Sequence, residues 1–264
     1  MFGSLRDKHP SSFRVLLVND DGIDAEGFAV LEDYARKKFA EVVVCAPVHE
    51  HSGKARSITL HKHFDVEQRG EGRYAIDGTP TDCVIFGLHH AMKEAWPDLV
   101  ISGINHGQNA GHAITYSGTF GAAFEAGLHH IPAIAFSQLY GEERQISFDV
   151  AKDMLDQVCL EIFAKEWPDH AVMNVNFPHV AAKGGAKIHW VPLRHQTIVE
   201  RIKVDHNEPT KMRVMTQFRR DYSPEIADSA ENDLDVLSRG DISISPVLTN
   251  WTCHTSLNKM LGGE

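Results

Sequence analysis

Two aspartates stand side by side at Asp20-Asp21, and their chemistry depends on what joins them. Two carboxylates that close repel one another unless a cation sits between them. Hard divalent cations take oxygen ligands from carboxylates, hydroxyls, amide carbonyls and water. Asp20, Asp21, Ser52 and Asn105 would make such an all-oxygen set, with positions left for water and a substrate phosphate. A second cluster, Ser117-Gly118-Thr119, has the form of a phosphate cradle. Glycine permits close backbone approach, and a helix opening there offers free N–H groups and its positive dipole end. Each cluster alone also fits a plainer role, a turn or a helix N-cap. Their occurrence together favours chemistry.

The elements that must position these residues follow from the apolar pattern. Residues 13–18 (FRVLLV), 41–46 (EVVVCA), 98–102 (DLVIS), 133–137 (AIAFS) and 171–176 (AVMNVN) read as buried parallel strands. Helices are predicted at 25–39, capped by Asp24, and at 119–130 and 146–165. Another is predicted from the capping box Thr79-Pro80-Thr81-Asp82 to about Lys93. A strand pair is expected across 58–76. Ligands of open parallel sheets bind beyond the carboxyl ends of the strands. Four polar clusters fall there: Asn19-Asp20-Asp21, the loop 48–57 with Ser52, the segment 102–109 with Asn105 and Asn109, and Ser117-Gly118-Thr119. Beyond Pro178 the alternation breaks. Strands are expected at 187–192, 212–219 and 241–247, with a polar loop or exposed hairpin at 221–235. The fold class is therefore α/β, a Rossmann-like, mostly parallel sheet with helices on both faces and a β-rich C-terminal arm. The boundaries are a flexible lead at 1–12, a catalytic core at 13–178 and an extension at 179–264.

Composition narrows the partners. The chain has 264 residues, 42% hydrophobic and 23% charged, enough for a sizeable core. A net charge of -10 disfavours nucleic-acid polymers and anionic membranes, so attraction for an anionic substrate must be local. Cys45, Cys83, Cys159 and Cys253 are scattered without a C-x-x-C pair, and are expected as reduced, core or partly buried thiols. No apolar leader and no run long enough to span a membrane is visible, so a cytoplasmic protein is expected. Of seventeen histidines, His49, His51, His106 and His112 fall in the candidate site loops, with His106 the strongest candidate; His89-His90 and His129-His130 fall near helix ends. Lys54 and Arg56 are candidate phosphate contacts. No Walker motif and no G-x-G-x-x-G after the first strand occurs, which argues against a P-loop or a dinucleotide site.

Five stretches carry a resemblance. They are V-N-D-D-G-I-D-A-E-G (18–27), A-P-V-H-E-H-S-G (46–53), D-G-T-P-T-D-C-V (77–84), P-D-L-V-I-S-G-I-N-H-G-Q-N (97–109) and Y-S-G-T-F-G-A-A (116–123). In this order they resemble the SurE family, stationary-phase survival proteins that act as 5′/3′-nucleotidases. The resemblance implies a phosphatase dependent on one divalent metal ion per subunit, Mg²⁺ or Mn²⁺, acting on nucleoside monophosphates and other small phosphorylated substrates. Asp20, Asp21, Ser52 and Asn105 fall on the family's metal-ligand positions. Asn109, Ser117, Gly118 and Thr119 fall in its phosphate-binding region. It also implies a homodimer or homotetramer with an exchanged C-terminal arm, near G-D-I-S-I-S-P-V (240–247). The chain departs from the family pattern at His112-Ala113 and across 194–235. In the expected mechanism Asp20 orients or deprotonates the attacking water and Asp21 is a structural ligand. The lower-ranked alternative has Asp20 as a covalent nucleophile, although Asp20 does not begin the D-x-D arrangement of aspartyl-phosphate enzymes. Asn109, Ser117 and Thr119 stabilise the phosphoryl oxygens. The rival readings are a non-catalytic nucleotide- or phosphate-binding regulator on the same fold and a dinucleotide-dependent oxidoreductase.

Overall fold

Side chains alternate faces along a strand, so a strand covered on both faces must be apolar throughout. In the computed structural model, β1 (Arg14–Val18) meets that demand from Val15 onward, within a sheet between the strands Glu41–Pro47 and Leu99–His106. Val15 and Leu17 pack with one core cluster and Leu16 and Val18 with another, all fully buried. The structure describes Leu5 and residues 8–195, 199–208, 211–218 and 230–261. After β1 the chain forms α1 (Glu26–Lys38), β2 (Glu41–Pro47), β3 (Val66–Gln68), β4 (Arg73–Ile76), α2 (Pro80–Phe86), β5 (Leu99–His106), α3 (Gly118–Leu128), β6 (Ala133–Gln138), α4 (Asp149–Phe163) and β7 (Ala171–Phe177). Then come β8 (Ile188–Trp190), β9 (Val199–Glu208), β10 (Lys211–Phe218), α5 (Asp233–Ser238), β11 (Ile242–Leu248) and α6 (His254–Met260).

The main sheet has the order β3-β4-β2-β1-β5-β6-β7-β11-β8. From β4 to β7 every pair is parallel; β3 and β11 join antiparallel, and β8 runs parallel to β11. Helices α1 and α4 cover one face through Phe28, Leu31, Leu155 and Val158. Helices α2 and α3 cover the other through Cys83, Val84, Ala123 and Phe124. The strand order reverses beside β1, with β2 on one side and β5 on the other, which is where an open α/β sheet leaves a crevice at its carboxyl edge. Strands β9 and β10 form a separate antiparallel ribbon.

Several local expectations are corrected. Asp24 does not cap α1: the N-cap is Ala25, without a side-chain bond, and the Asp24 carboxylate accepts from Arg69 Nη1 at 3.1 Å. The capping box at Thr79 and Asp82 forms, but α2 widens after Phe86 into a turn in which Met92 N–H reaches the Gly87 carbonyl at 2.8 Å. Gly87 lies against Leu16, and an added Cβ would meet Leu16 Cδ2 at 2.6 Å. Of the region 58–76 only 66–68 and 73–76 are strand. Strand β9 and helices α5 and α6 add elements that the apolar pattern did not suggest. Most of the expected loop at 221–235 lies outside the described residues; its end is α5, opened by an Asn232–Asp235 capping box. Cys45, Cys83 and Cys159 are buried and free, whereas Cys253 is exposed.

Candidate active site

Asp20 lies two residues past the end of β1 and is 2% exposed. A carboxylate buried so deeply needs donors. The Thr119 hydroxyl donates to its Oδ1, and the N–H groups of Gly118 and Thr119 point at the same carboxylate. These are the first amides of α3, whose N-cap is Ser117, with Ser117 Oγ accepting from Phe120 N–H at 3.0 Å. Gly118 is required by close approach. A Cβ there would stand 2.7 Å from Asp20 Cβ and 2.8 Å from its Oδ2. The helix N-terminus thus receives the protein's own carboxylate.

Asp21 turns toward β5. Its Oδ2 accepts from His106 N–H at 2.9 Å. Burial pushes the Asp20 carboxyl up to about 7, with the neighbouring charge of Asp21 adding to it and the α3 donors opposing. Burial likewise raises Asp21 to about 6, opposed by His106 N–H and reinforced by Glu50. Both are therefore carboxylates whose joint ionisation is costly without a compensating cation.

Asn105 is nearly buried near the end of β5, and its Nδ2 donates to the Gly107 carbonyl at 2.7 Å, which leaves the amide oxygen as the atom open to a ligand. The loop after β2 is pinned by His51 N–H donating to the Asp20 carbonyl at 2.7 Å. Ser52 follows and is exposed at this edge. Asn109 lies on the far side of β5, where its Nδ2 donates to Ser137 Oγ at 2.9 Å. Two carboxylates, an amide oxygen and a hydroxyl would, if they converged, make a hard-oxygen donor set, the chemistry that suits Mg²⁺ or Mn²⁺ rather than a soft metal. Among the described residues no three His, Cys, Asp or Glu side chains group as a metal site, so neutral oxygens must complete any set built on these two aspartates.

Residues 15–200 match the family described as Survival protein SurE. The chain belongs to the SurE family. It is 37% identical to the 5′-nucleotidase SurE of Paramagnetospirillum magneticum over 243 residues, 92% of each chain. It is also 37% identical to that of Erythrobacter litoralis, over 93% of this chain and 97% of the relative. The crystal structure of the SurE protein from Aquifex aeolicus superposes with a TM-score of 0.80 at 28% identity, covering 94% of this chain and 99% of that one.

Within this SurE chain some candidates take other partners. The Arg56 guanidinium stacks on aromatic rings, 4.2 Å from the Phe124 ring centre and 5.3 Å from that of Trp251. Lys54 is exposed. The His106 ring packs on Phe148 with centres 5.3 Å apart, and burial holds it below the ordinary histidine range. His112 meets His195 edge-on at 4.6 Å. Ser137, Asn174 and Asn176 were not singled out by motif, yet all three are fully buried around Asn109. The signal was present: asparagines two apart in an otherwise apolar strand share one face, and buried amides need partners.

Proposed function

We propose that this SurE chain is a metal-dependent phosphomonoesterase that hydrolyses nucleoside monophosphates. The observation that carries it is the adjacent carboxylates beyond β1, Asp20 buried and Asp21 half-buried, raised to about 7 and about 6, in a chain whose relatives bear the name 5′-nucleotidase SurE. Asp20, Asp21, Ser52 and Asn105 would hold one Mg²⁺ or Mn²⁺ ion per subunit. When bound, such an ion supplies a Lewis acid for a phosphoryl oxygen and lowers the pKa of a coordinated water.

The chain's own groups do the rest. Asp20 orients the attacking water and accepts its proton. Thr119 and the α3 amides hold Asp20 in place, so the Thr119 hydroxyl serves the carboxylate rather than the phosphate. Ser117 Oγ accepts from the backbone, which leaves its O–H to donate to a phosphoryl oxygen. Asn109 offers the amide hydrogen that Ser137 does not take. Donors fixed in advance stabilise charge that grows in the transition state.

The protein would act in the cytoplasm, and among the described residues no helix is long and apolar enough to cross a membrane. Residues 179–264 would serve as an oligomerisation arm in a homodimer or homotetramer, supported by the exposed β9–β10 ribbon. The test is hydrolysis of p-nitrophenyl phosphate and a panel of nucleoside monophosphates, with Mn²⁺ or Mg²⁺ and with EDTA. Turnover that vanishes in EDTA and in Asp21→Ala is the expected result. A folded protein inert with every metal refutes the reading.

A further inference from the structure

Asn109 lies past the end of β5 in a stretch that belongs to no strand, yet it is 6% exposed. Backbone groups buried outside helices and sheets need partners from elsewhere. Strand β7 supplies them with side chains. Asn176 Oδ1 accepts from Asn109 N–H at 2.8 Å, and Asn176 Nδ2 donates to the Asn109 carbonyl at 3.2 Å. Asn174 Nδ2 donates to the same carbonyl at 2.8 Å. A side-chain amide carries a donor and an acceptor disposed as in a peptide unit. Asn176 therefore gives Asn109 one rung of a ladder that no strand provides. With its backbone held, the Asn109 side chain is aimed by Ser137, which takes one Nδ2 hydrogen at 2.9 Å.

The supporting residues stand in register across the sheet. Asn105 pairs with Ser137, Ser137 with Asn176, and Asn176 with Ser243 of β11. Cross-strand partners share a face, so the row runs from a candidate metal ligand to the C-terminal arm. Polar side chains this deep cost desolvation that an apolar trio would avoid. Among the described residues, Asn174 Oδ1 and Ser243 Oγ are buried without a hydrogen-bond partner, so this polar group is not arranged to maximise its own bonding.

We infer that Asn176, seconded by Asn174 and Ser137, is a positioning residue that holds the Asn109 amide toward the substrate phosphate. This rests on the role given to Asn109 above. The test is a double-mutant cycle read in kcat and KM with p-nitrophenyl phosphate. Asn176→Leu and Asn109→Ala are each expected to lower kcat about tenfold or more while KM moves far less. The double variant should be no slower than Asn109→Ala alone. An unchanged kcat in folded Asn176→Leu, or a double variant slowed by the product of the two single effects, overturns the inference.

Ser137→Ala removes a single acceptor and decides the matter if Asn176→Leu does not fold. It should slow the wild type and leave Asn109→Ala untouched; equal effects in both backgrounds refute the role. If the wild-type protein shows no turnover, the proposed function fails. Calorimetry with inorganic phosphate then decides the inference alone. Weaker binding in Asn176→Leu, absent in the Asn109→Ala background, supports it, and unchanged affinity overturns it.

Discussion

The carboxyl edge of the main sheet and the β9–β10 ribbon break the usual inside–outside rule in opposite directions. At the edge the chain buries Asp20, Asn105, Asn109, Asn174 and Asn176. On the ribbon it exposes Ile202, Val204, Met212 and Val214. Val204 pairs with Val214, so these four residues share one face, while Lys203, Asp205 and Arg213 share the other with Met215. Buried carboxylates are costly to ionise without a counter-charge, and exposed apolar faces are costly in water. The first cost is lowered by a cation, the second by apolar cover. A region that breaks the burial rule is thus a pointer to what it binds, and the kind of violation names the kind of partner.

The edge should be the more sensitive of the two to small steric change. Gly118→Ala places a Cβ 2.7 Å from Asp20 Cβ, and both residues are buried. Asp20 must move off the α3 amides by a distance comparable with a hydrogen-bond tolerance. Metal-dependent turnover is expected to fall about a hundredfold or more. Steady-state kinetics on a variant with a native circular dichroism spectrum checks this, and wild-type kcat would mean that Asp20 does not need its cradle.

A smaller effect concerns the metal-free protein. The Asp20 carboxyl is raised by burial from its ordinary 3.8 to about 7. A raised carboxyl contributes stability while it stays protonated in the folded state. That contribution is whole below pH 4 or so and is lost as pH rises through about 7. Relative to Asp20→Asn, the wild type in EDTA should therefore lose thermal stability between about pH 4 and about pH 7. Added Mn²⁺ should restore it at the higher pH. Parallel melting curves for the two proteins would show that Asp20 is not held as described.

How much of this was legible in the sequence differs in the same way between the two regions. Strands β1, β2, β5, β6 and β7 were readable because burial on both faces demands unbroken apolar runs. The adjacency of Asp20 and Asp21, and the Ser117 cap, were readable because each is a local pattern. The bond from Thr119 to Asp20 spans 99 positions, and only the folded sheet brings its ends together. Asn176 was hidden for the same reason, although two asparagines in a buried strand already called for partners. Asp24 misled because an aspartate before a helix fits a cap, while the chain reaches its extended N-cap geometry one residue later, at Ala25. Strand β9 (VERIKVDHNE) carried no burial signal, because its pattern alternates charge with exposed apolar residues. Periodicity reports burial within the chain, and it is weak where burial waits on another surface.

The ribbon offers the mildest test, because it separates assembly from chemistry. Val204 and Val214 face each other across β9 and β10. Replacing them with Val204→Glu and Val214→Lys puts opposite charges in register, which keeps the ribbon paired while placing two charges in the middle of its apolar face. If that face is covered by a second copy of the chain, the double variant should sediment as a smaller species than the wild type. Among the described residues, the hydrogen bonds that position Asp20, Asp21, Asn105 and Asn109 come from α3, β5 and the residue after it, β6, β7 and the loop after β2, none of them from the ribbon. Turnover per chain should therefore fall by less than about threefold, within the range of surface substitutions remote from a site. An unchanged sedimentation coefficient would remove the ribbon from the interface. A smaller species with lost turnover would instead make assembly a condition of the chemistry, acting through α5, where Asp233 accepts from Gly111 N–H at 2.6 Å and Arg194 N–H at 2.9 Å, tying the arm to the turn that leads to Ser117.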